Sequence, residues 1–342
     1  MVSTQKSCRY GAAFAKGFVK ISAALAMVGI SASAGMAAAV TLNSPYGLAV
    51  DQSSGALYIT DPVAGQVALY NPDSKTLSPF VTGQPNVFSV AVNSDGFVYT
   101  GVVGSNPQIY VYNRNGQAVN GLAVPPGDQP ITMAFDADNI LYQSFGFADN
   151  NSQINMNSYI NNISIDFRPI TGFAPYSRLQ TYTRLNPGSR YAIAYDDGQM
   201  FVIGAYTGGT LNIYDMQILA QGRAADINAS LGLSLMISYR AWSNNHIIPG
   251  ATGPAFAAAV DAHHNIYYTN PDNKTISVTG KLINTSTLPI TLPSSPFGIA
   301  FDKARSLLYL AFPSEHLVRA YKVSYTTRNG AQTPALTPVA FP

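Results

Sequence analysis

The 342-residue sequence predicts an all-β fold, a six-bladed β-propeller of four-stranded antiparallel blades, from three observations. The first is composition. Charged residues make up 11%, against roughly 25% in ordinary soluble domains, and Glu315 is the only Glu. Tyr (21), Gly (28) and Pro (22) are abundant, and the chain is also rich in Val, Ile, Thr and Asn, a palette for strands and turns rather than helices. The second is a hairpin, "SPYGLAVDQSSGALYITDP", that the chain repeats. The third is the spacing of that repeat, which matches a propeller blade.

The inner-strand signature is apolar, Ala, apolar, then Asp or Asn. It occurs at Leu48–Asp51, Val90–Asn93, Met133–Asp136, Ile193–Asp196, Ala258–Asp261 and Ile299–Asp302. The closing residues lie 42, 43, 60, 65 and 41 positions apart. Five to seven residues after each comes an aromatic of a second strand: Tyr58, Tyr99, Tyr142, Phe201, Tyr267 and Tyr309. A third strand follows in each copy, from "QVALYN" in the first to "HLVRAYKV" in the last. One such sheet cannot bury both of its faces, so copies stack around an axis. Inner strands converge on that axis, which explains the small Ala. The Asp or Asn suits the turn that follows, because its side chain hydrogen-bonds backbone two residues on.

Taken in order, residues 1–39 read as a secretory signal. Lys6, Arg9, Lys16 and Lys20 form a basic start, an uncharged run begins at Ile21, and small residues place cleavage after Ala34 or Ala39. An uncleaved membrane anchor is the competing reading of Ile21–Val40. Removal of the segment leaves 15 Lys and Arg against 17 Asp and Glu, a net charge of −2, and takes away Cys8, the only cysteine. The mature chain then has no disulfide and no Cys nucleophile, and no basic footprint for nucleic acid. Stable membrane insertion is not expected after cleavage. Residues 40–342 read as a single propeller domain with blades starting near 45, 85, 130, 188, 254 and 296.

"PYGLAVDQSSGALYITD" and "PFGIAFDKARSLLYLAF" resemble the NHL-repeat pattern of Pro-x-Gly, an apolar-Ala-apolar-Asp strand and a Tyr-bearing strand. The same pattern resembles the senescence-marker/gluconolactonase group and the streptogramin-lyase-like propellers, over nearly the whole mature chain. Resemblance to the gluconolactonase-like enzymes implies one divalent metal on the axis, held by Glu, Asn and Asp at the tops of inner strands. The matching positions here are Tyr46, Phe88, Ile131, Tyr191, Phe256 and Phe297. Counting forward from Pro puts Asn86 there in the second repeat. Hard cations need several oxygen ligands, and this ring offers at most two phenols. No metal or cofactor is therefore expected, with a single divalent cation such as calcium left open.

The next ring, Gly47, Ser89, Thr132, Ala192, Ala257 and Gly298, is small throughout. Large residues above small ones describe a funnel, so Tyr46, Phe88, Ile131, Tyr191, Phe256 and Phe297 are the candidate ligand-binding rim for an apolar or aromatic molecule. The alternative is that these aromatics pack between blades and plug the channel. Asp136-Ala137-Asp138-Asn139 and His263-His264 fall in the first hairpin of their repeats and read as turns. No HExxH, nucleophile elbow or phosphate loop occurs. Two longer repeats flank the fourth copy and carry Arg178, Arg184, Arg190, Arg240 and Trp242, residue types that anchor protein interfaces. The resulting expectation is a secreted or periplasmic, non-catalytic scaffold for a small apolar or aromatic ligand or a protein partner. The alternative is a gluconolactonase-like metal-dependent hydrolase or lyase, a lactonase or esterase with a relocated site drawing on Asn86, Asp149, Asp166 and Arg190.

Overall fold

The computed structural model describes residues 40–123, 129–135, 141–146, 162–166, 179–182, 192–196, 199–204, 210–215, 242–247, 255–280, 283 and 290–342. The expected signal segment lies outside them, as does the Asp136–Asn139 turn. The first sheet contains β1 (Leu48–Val50), β2 (Leu57–Asp61), β3 (Gln66–Asn71) and β4 (Thr76–Thr82). The second holds β5 (Val87–Val92), β6 (Val98–Val102), β7 (Gln108–Tyr112) and β8 (Ala118–Ala123). β9 (Gln129–Phe135), β10 (Leu141–Gly146), β11 (Asn162–Asp166) and β12 (Leu179–Tyr182) make the third. The fourth has β13 (Ala192–Asp196), β14 (Gln199–Gly204), β15 (Thr210–Asp215) and β16 (Trp242–Ile247). β17 (Ala258–Val260), β18 (Ile266–Asn270), β19 (Thr275–Thr279) and β20 (Ile290–Thr291) form the fifth. The last contains β21 (Ile299–Asp302), β22 (Leu307–Phe312), β23 (Leu317–Arg328) and β24 (Ala331–Val339).

Each sheet is an antiparallel meander in chain order, with no strand exchanged between sheets. This is a propeller of four-stranded antiparallel blades. Four sheets are described with their side chains nearly throughout; in the third and fourth, side chains are described for 129–135, Leu141 and 192–196. The inner strands β1, β5, β9, β13, β17 and β21 touch in that order, and β21 touches β1.

The repeated Ala packs against the next blade. Ala300 joins Leu48 and Val50 in one buried cluster, Ala259 joins Ile299 and Phe301, and Ala194 joins Val260. The Asp or Asn after each inner strand ties its own turn. Asp51 Oδ1 accepts from the Ser53 amide at 2.9 Å, Asn93 Oδ1 from the Phe97 amide at 2.8 Å, and Asp302 Oδ1 from the Arg305 amide at 2.9 Å. Asp261 Oδ1 accepts from the amides of His263 and Asn265, each at 2.8 Å. His263-His264 is thus a turn, with His264 at φ 63°.

Burial pushes the Asp51 carboxyl up, but hydrogen bonds from Ser53 and Ser54 and the charge of Arg114 more than offset it, so its pKa lies below the ordinary 3.8. A carboxyl depressed by folding stabilises the native state above its unfolded pKa, and that contribution is lost as pH falls through the folded value. Asp51→Asn is therefore expected to lower Tm at pH 6, and the gap to wild type should narrow as the pH is taken to about 3. Melting both proteins across that range checks it. A gap that widens on acidification contradicts the sign.

Hydroxyls staple neighbouring blades. Thr60 Oγ1 accepts from the Gly47 amide at 2.7 Å and donates to the Phe88 carbonyl of the next blade at 3.0 Å. Thr269 Oγ1 repeats this between the fifth and sixth blades, donating to the Phe297 carbonyl at 2.6 Å. The second blade reverses the arrangement. Ser89 stands opposite Gly101 and sends its hydroxyl to the Pro130 carbonyl at 2.6 Å, and a Cβ on Gly101 would lie 2.2 Å from that hydroxyl. Thr60→Val keeps the shape and strands a buried amide and carbonyl, an expected loss of about 2 kcal/mol readable by denaturant titration. A loss below about 0.5 kcal/mol would show that the staple carries no stability.

Candidate functional site

The site grows from the step into each inner strand, which is Pro-x-Gly in the first and sixth blades. A Cβ on Gly47 would lie 2.5 Å from the Phe88 carbonyl oxygen, and one on Gly298 would lie 2.0 Å from that of Tyr46. Glycine is thus required by close approach of neighbouring backbones. The x residues then meet at the axis. The Tyr46 ring lies 4.6 Å from Phe88 at 71°, 4.8 Å from Phe297 at 40° and 5.2 Å from Phe256 at 80°. Phe256 and Phe297 are 5.1 Å apart at 72°. Tyr46 and Phe256 belong to the first and fifth blades, so their contact skips the sixth blade rather than joining adjacent ones.

Of the six candidate rim residues, the structure brings Tyr46, Phe88, Phe256 and Phe297 into one packed aromatic cluster. The spacings and tilted or edge-on angles are those aromatic pairs prefer. Ile131 lines the space just beneath, and Tyr191 lies outside the described residues. That space is a cavity of about 40 Å³ among Gly47, Ser89, Ile131, Thr132, Ile193 and Gly298, large enough for little more than a water molecule.

The channel widens toward the strand ends. There a recess of about 230 Å³ is walled by Val50, Val92, Met133, Phe135, Val260 and Phe301, with Gln52, Tyr195 and Lys303 as its polar lining. Lys303 Nζ lies 2.5 Å from Asp196 Oδ1, a residue two blades away, and His264 Nδ1 lies 2.5 Å from Asp196 Oδ2. Gln52 latches the first blade to the sixth: its Nε2 donates to the Phe301 carbonyl at 2.7 Å and its Oε1 accepts from the Lys303 amide at 3.2 Å. Gln52 and Lys303 were not singled out from sequence, and Asp196 and His264 were read only as the end of an inner strand and a turn. The signal was positional: the residue after each closing Asp or Asn reads Gln52, Ser94, Ala137, Asp197, Ala262 and Lys303, long and polar only at the two ends of the chain.

The residues at the strand starts do not fit a divalent metal. Among the described rim side chains, Tyr46 alone carries an oxygen, and the Phe88 and Phe297 carbonyls already accept from Thr60 and Thr269. No three His, Cys, Asp or Glu side chains converge among the described residues. Asn86 sits in a left-handed turn at φ 60°, with its amide donating to the Pro62 carbonyl and its own carbonyl accepting from Val103. Glu315 is bound by Ser294 and Arg319 at a 3-10 turn, Pro313–Glu315. Asp166 ends β11, and Asp149 and Arg190 lie outside the described residues. So do Arg178, Arg184 and Arg240; Trp242 opens β16, its backbone paired with Ile213.

No family model matches the chain, and no curated protein matches it. Solved structures do. A gluconolactonase from Xanthomonas campestris is 14% identical with a TM-score of 0.53, covering 80% of this chain and 84% of its own. The PQQ-bound form of an aldose sugar dehydrogenase from Streptomyces coelicolor is 16% identical at a TM-score of 0.51, covering 87% and 94%. A structure of a nidogen/laminin complex is 13% identical at 0.50, covering 76% and 86%. Enzymes and a nidogen/laminin complex thus share one architecture, which identifies a fold and leaves activity to the site. The chain has the β-propeller fold found in gluconolactonase-like proteins.

Proposed function

We propose that this chain is an exported, six-bladed β-propeller that works as a non-catalytic binding scaffold. Six consecutive four-stranded sheets, whose inner strands touch in order and close last to first, support the blade count. The basic, uncharged, then small-residue order of the first 39 residues supports export. The observation that carries the non-catalytic reading is the aromatic cluster of Tyr46, Phe88, Phe256 and Phe297. It stands where the gluconolactonase resemblance puts a metal, and the carbonyls beside it are taken by threonine hydroxyls. Metal-assisted hydrolysis needs several oxygen ligands and an open coordination position, and the cluster offers a single phenol. The bound molecule is a small apolar or aromatic ligand or a protein partner, the latter met by Arg178, Arg184, Arg190, Arg240 and Trp242.

The test is a lactone and ester hydrolysis assay on the purified protein, supplemented in turn with calcium, magnesium, manganese and zinc. Turnover no greater than that of buffer with metal is the expected result. Saturable hydrolysis abolished by a chelator would overturn the reading in favour of a relocated metal site.

A further inference from the structure

The wide end of the channel joins an apolar recess to one cation. Its wall is aliphatic and aromatic, and Lys303 is the only charged side chain among the described residues that line it. Of the two other polar side chains, Gln52 is committed to the latch between the first and sixth blades. Apart from Asp196, the acids at the strand ends among the described residues turn elsewhere. Asp51 pairs with Arg114 at 3.3 Å, Asp302 with Arg305 at 3.1 Å, and Asp261 accepts from Tyr325 and Asn265. Asp196, which holds the Lys303 ammonium, is itself 7% exposed and shares its carboxylate with His264. An ammonium has three hydrogens, and Lys303 remains 36% exposed at the edge of the recess.

We propose that this end of the channel binds a small monocarboxylate, with its apolar body in the recess and its carboxylate received by Lys303. Apolar walls with a few placed polar groups are the usual make-up of small-molecule sites, and a carboxylate meeting an ammonium forms a strong, orienting hydrogen bond. A cavity of about 150 Å³ accepts benzene, so the recess of about 230 Å³ suits a body of about six carbons with a head group at its edge. The inference rests on the reading of the chain as a binding propeller and gives that reading a ligand class.

The experiment is calorimetric titration of the purified protein with hexanoate, hexylamine and 1-hexanol at constant ionic strength. Hexanoate should bind saturably, with a Kd on the order of 1 mM or tighter. Hexylamine should bind at least about tenfold more weakly, because its charge meets Lys303. Lys303→Gln should lower hexanoate affinity about tenfold and leave hexanol unchanged, while Lys303→Arg retains the preference for the acid. Failure of hexanoate to saturate, equal binding of the amine, or an unchanged Lys303→Gln variant would overturn the proposal. Should Lys303→Gln lose its native circular dichroism, the comparison of acid with amine on the wild-type protein decides alone. Lactone turnover in the separate assay would sink the non-catalytic reading without touching this outcome, so the two failures are distinguishable.

Discussion

Gly298→Ala is expected to destabilise the protein by about 3 kcal/mol. The added Cβ would lie 2.0 Å from the Tyr46 carbonyl oxygen and 3.2 Å from Leu48 Cγ. The nearest atom is backbone, so no rotamer change relieves the clash. The sixth inner strand must move away from the first, at the seam where the ring closes. That seam holds one of the chain's large buried clusters, in which Leu48, Val50, Leu57 and Ile59 pack against Ala300, Tyr309 and Ala311. At about 2.1 cal/mol/K of unfolding entropy per residue over roughly 300 residues, Tm should fall by about 5 °C. Ala257 occupies the same repeat position in the fifth blade, so the requirement for glycine belongs to the close backbone approaches at Gly47 and Gly298 and not to the repeat. A Tm within about 1 °C of wild type would show that the first and sixth inner strands are not this close.

The second large effect concerns the aromatic cluster. Tyr46 touches three other rings and is the member through which the first, second, fifth and sixth blades meet. Truncating it to Ala removes those contacts and leaves a void at the narrow mouth, an expected cost of about 3 kcal/mol. Tyr46→Phe keeps the ring and should cost less than about 1 kcal/mol. Denaturant titration of the pair reads these losses. Equal losses for Ala and Phe would place the energy in the hydroxyl and contradict a packing role for the ring.

Much of this architecture was legible because each blade repeats short-range chemistry. The Asp or Asn that ends an inner strand bonds amides two to four residues on, so Asp51, Asn93, Asp261 and Asp302 announce their turns locally. Asn329-Gly330, with φ of 51° and 77°, is an equally local hairpin signal, joining β23 to β24. The Thr60 and Ser89–Gly101 staples were also visible in principle, as a hydroxyl that changes strand while its opposite number shrinks.

The axis was harder to read. Sequence spacing puts Tyr46, Phe88, Phe256 and Phe297 at one level, but whether they wall a funnel or fill it depends on the radius of the ring of inner strands. That radius is a sum over all blade contacts, and it brings these four rings to centroid separations near 5 Å. Asp196, His264 and Lys303 are 68 and 107 residues apart in pairs and meet only because the ring brings three blades to one mouth. No local pattern encodes that meeting.

The most direct test of the central claim, that aromatic packing has replaced a metal centre at the strand starts, is the metal content of the purified protein. Elemental mass spectrometry after purification without chelator should find far less than one divalent ion per folded chain. A stoichiometric ion, retained through gel filtration and released by Tyr46→Ala or Phe297→Ala, would contradict the account and place a metal centre where the rings are described as meeting.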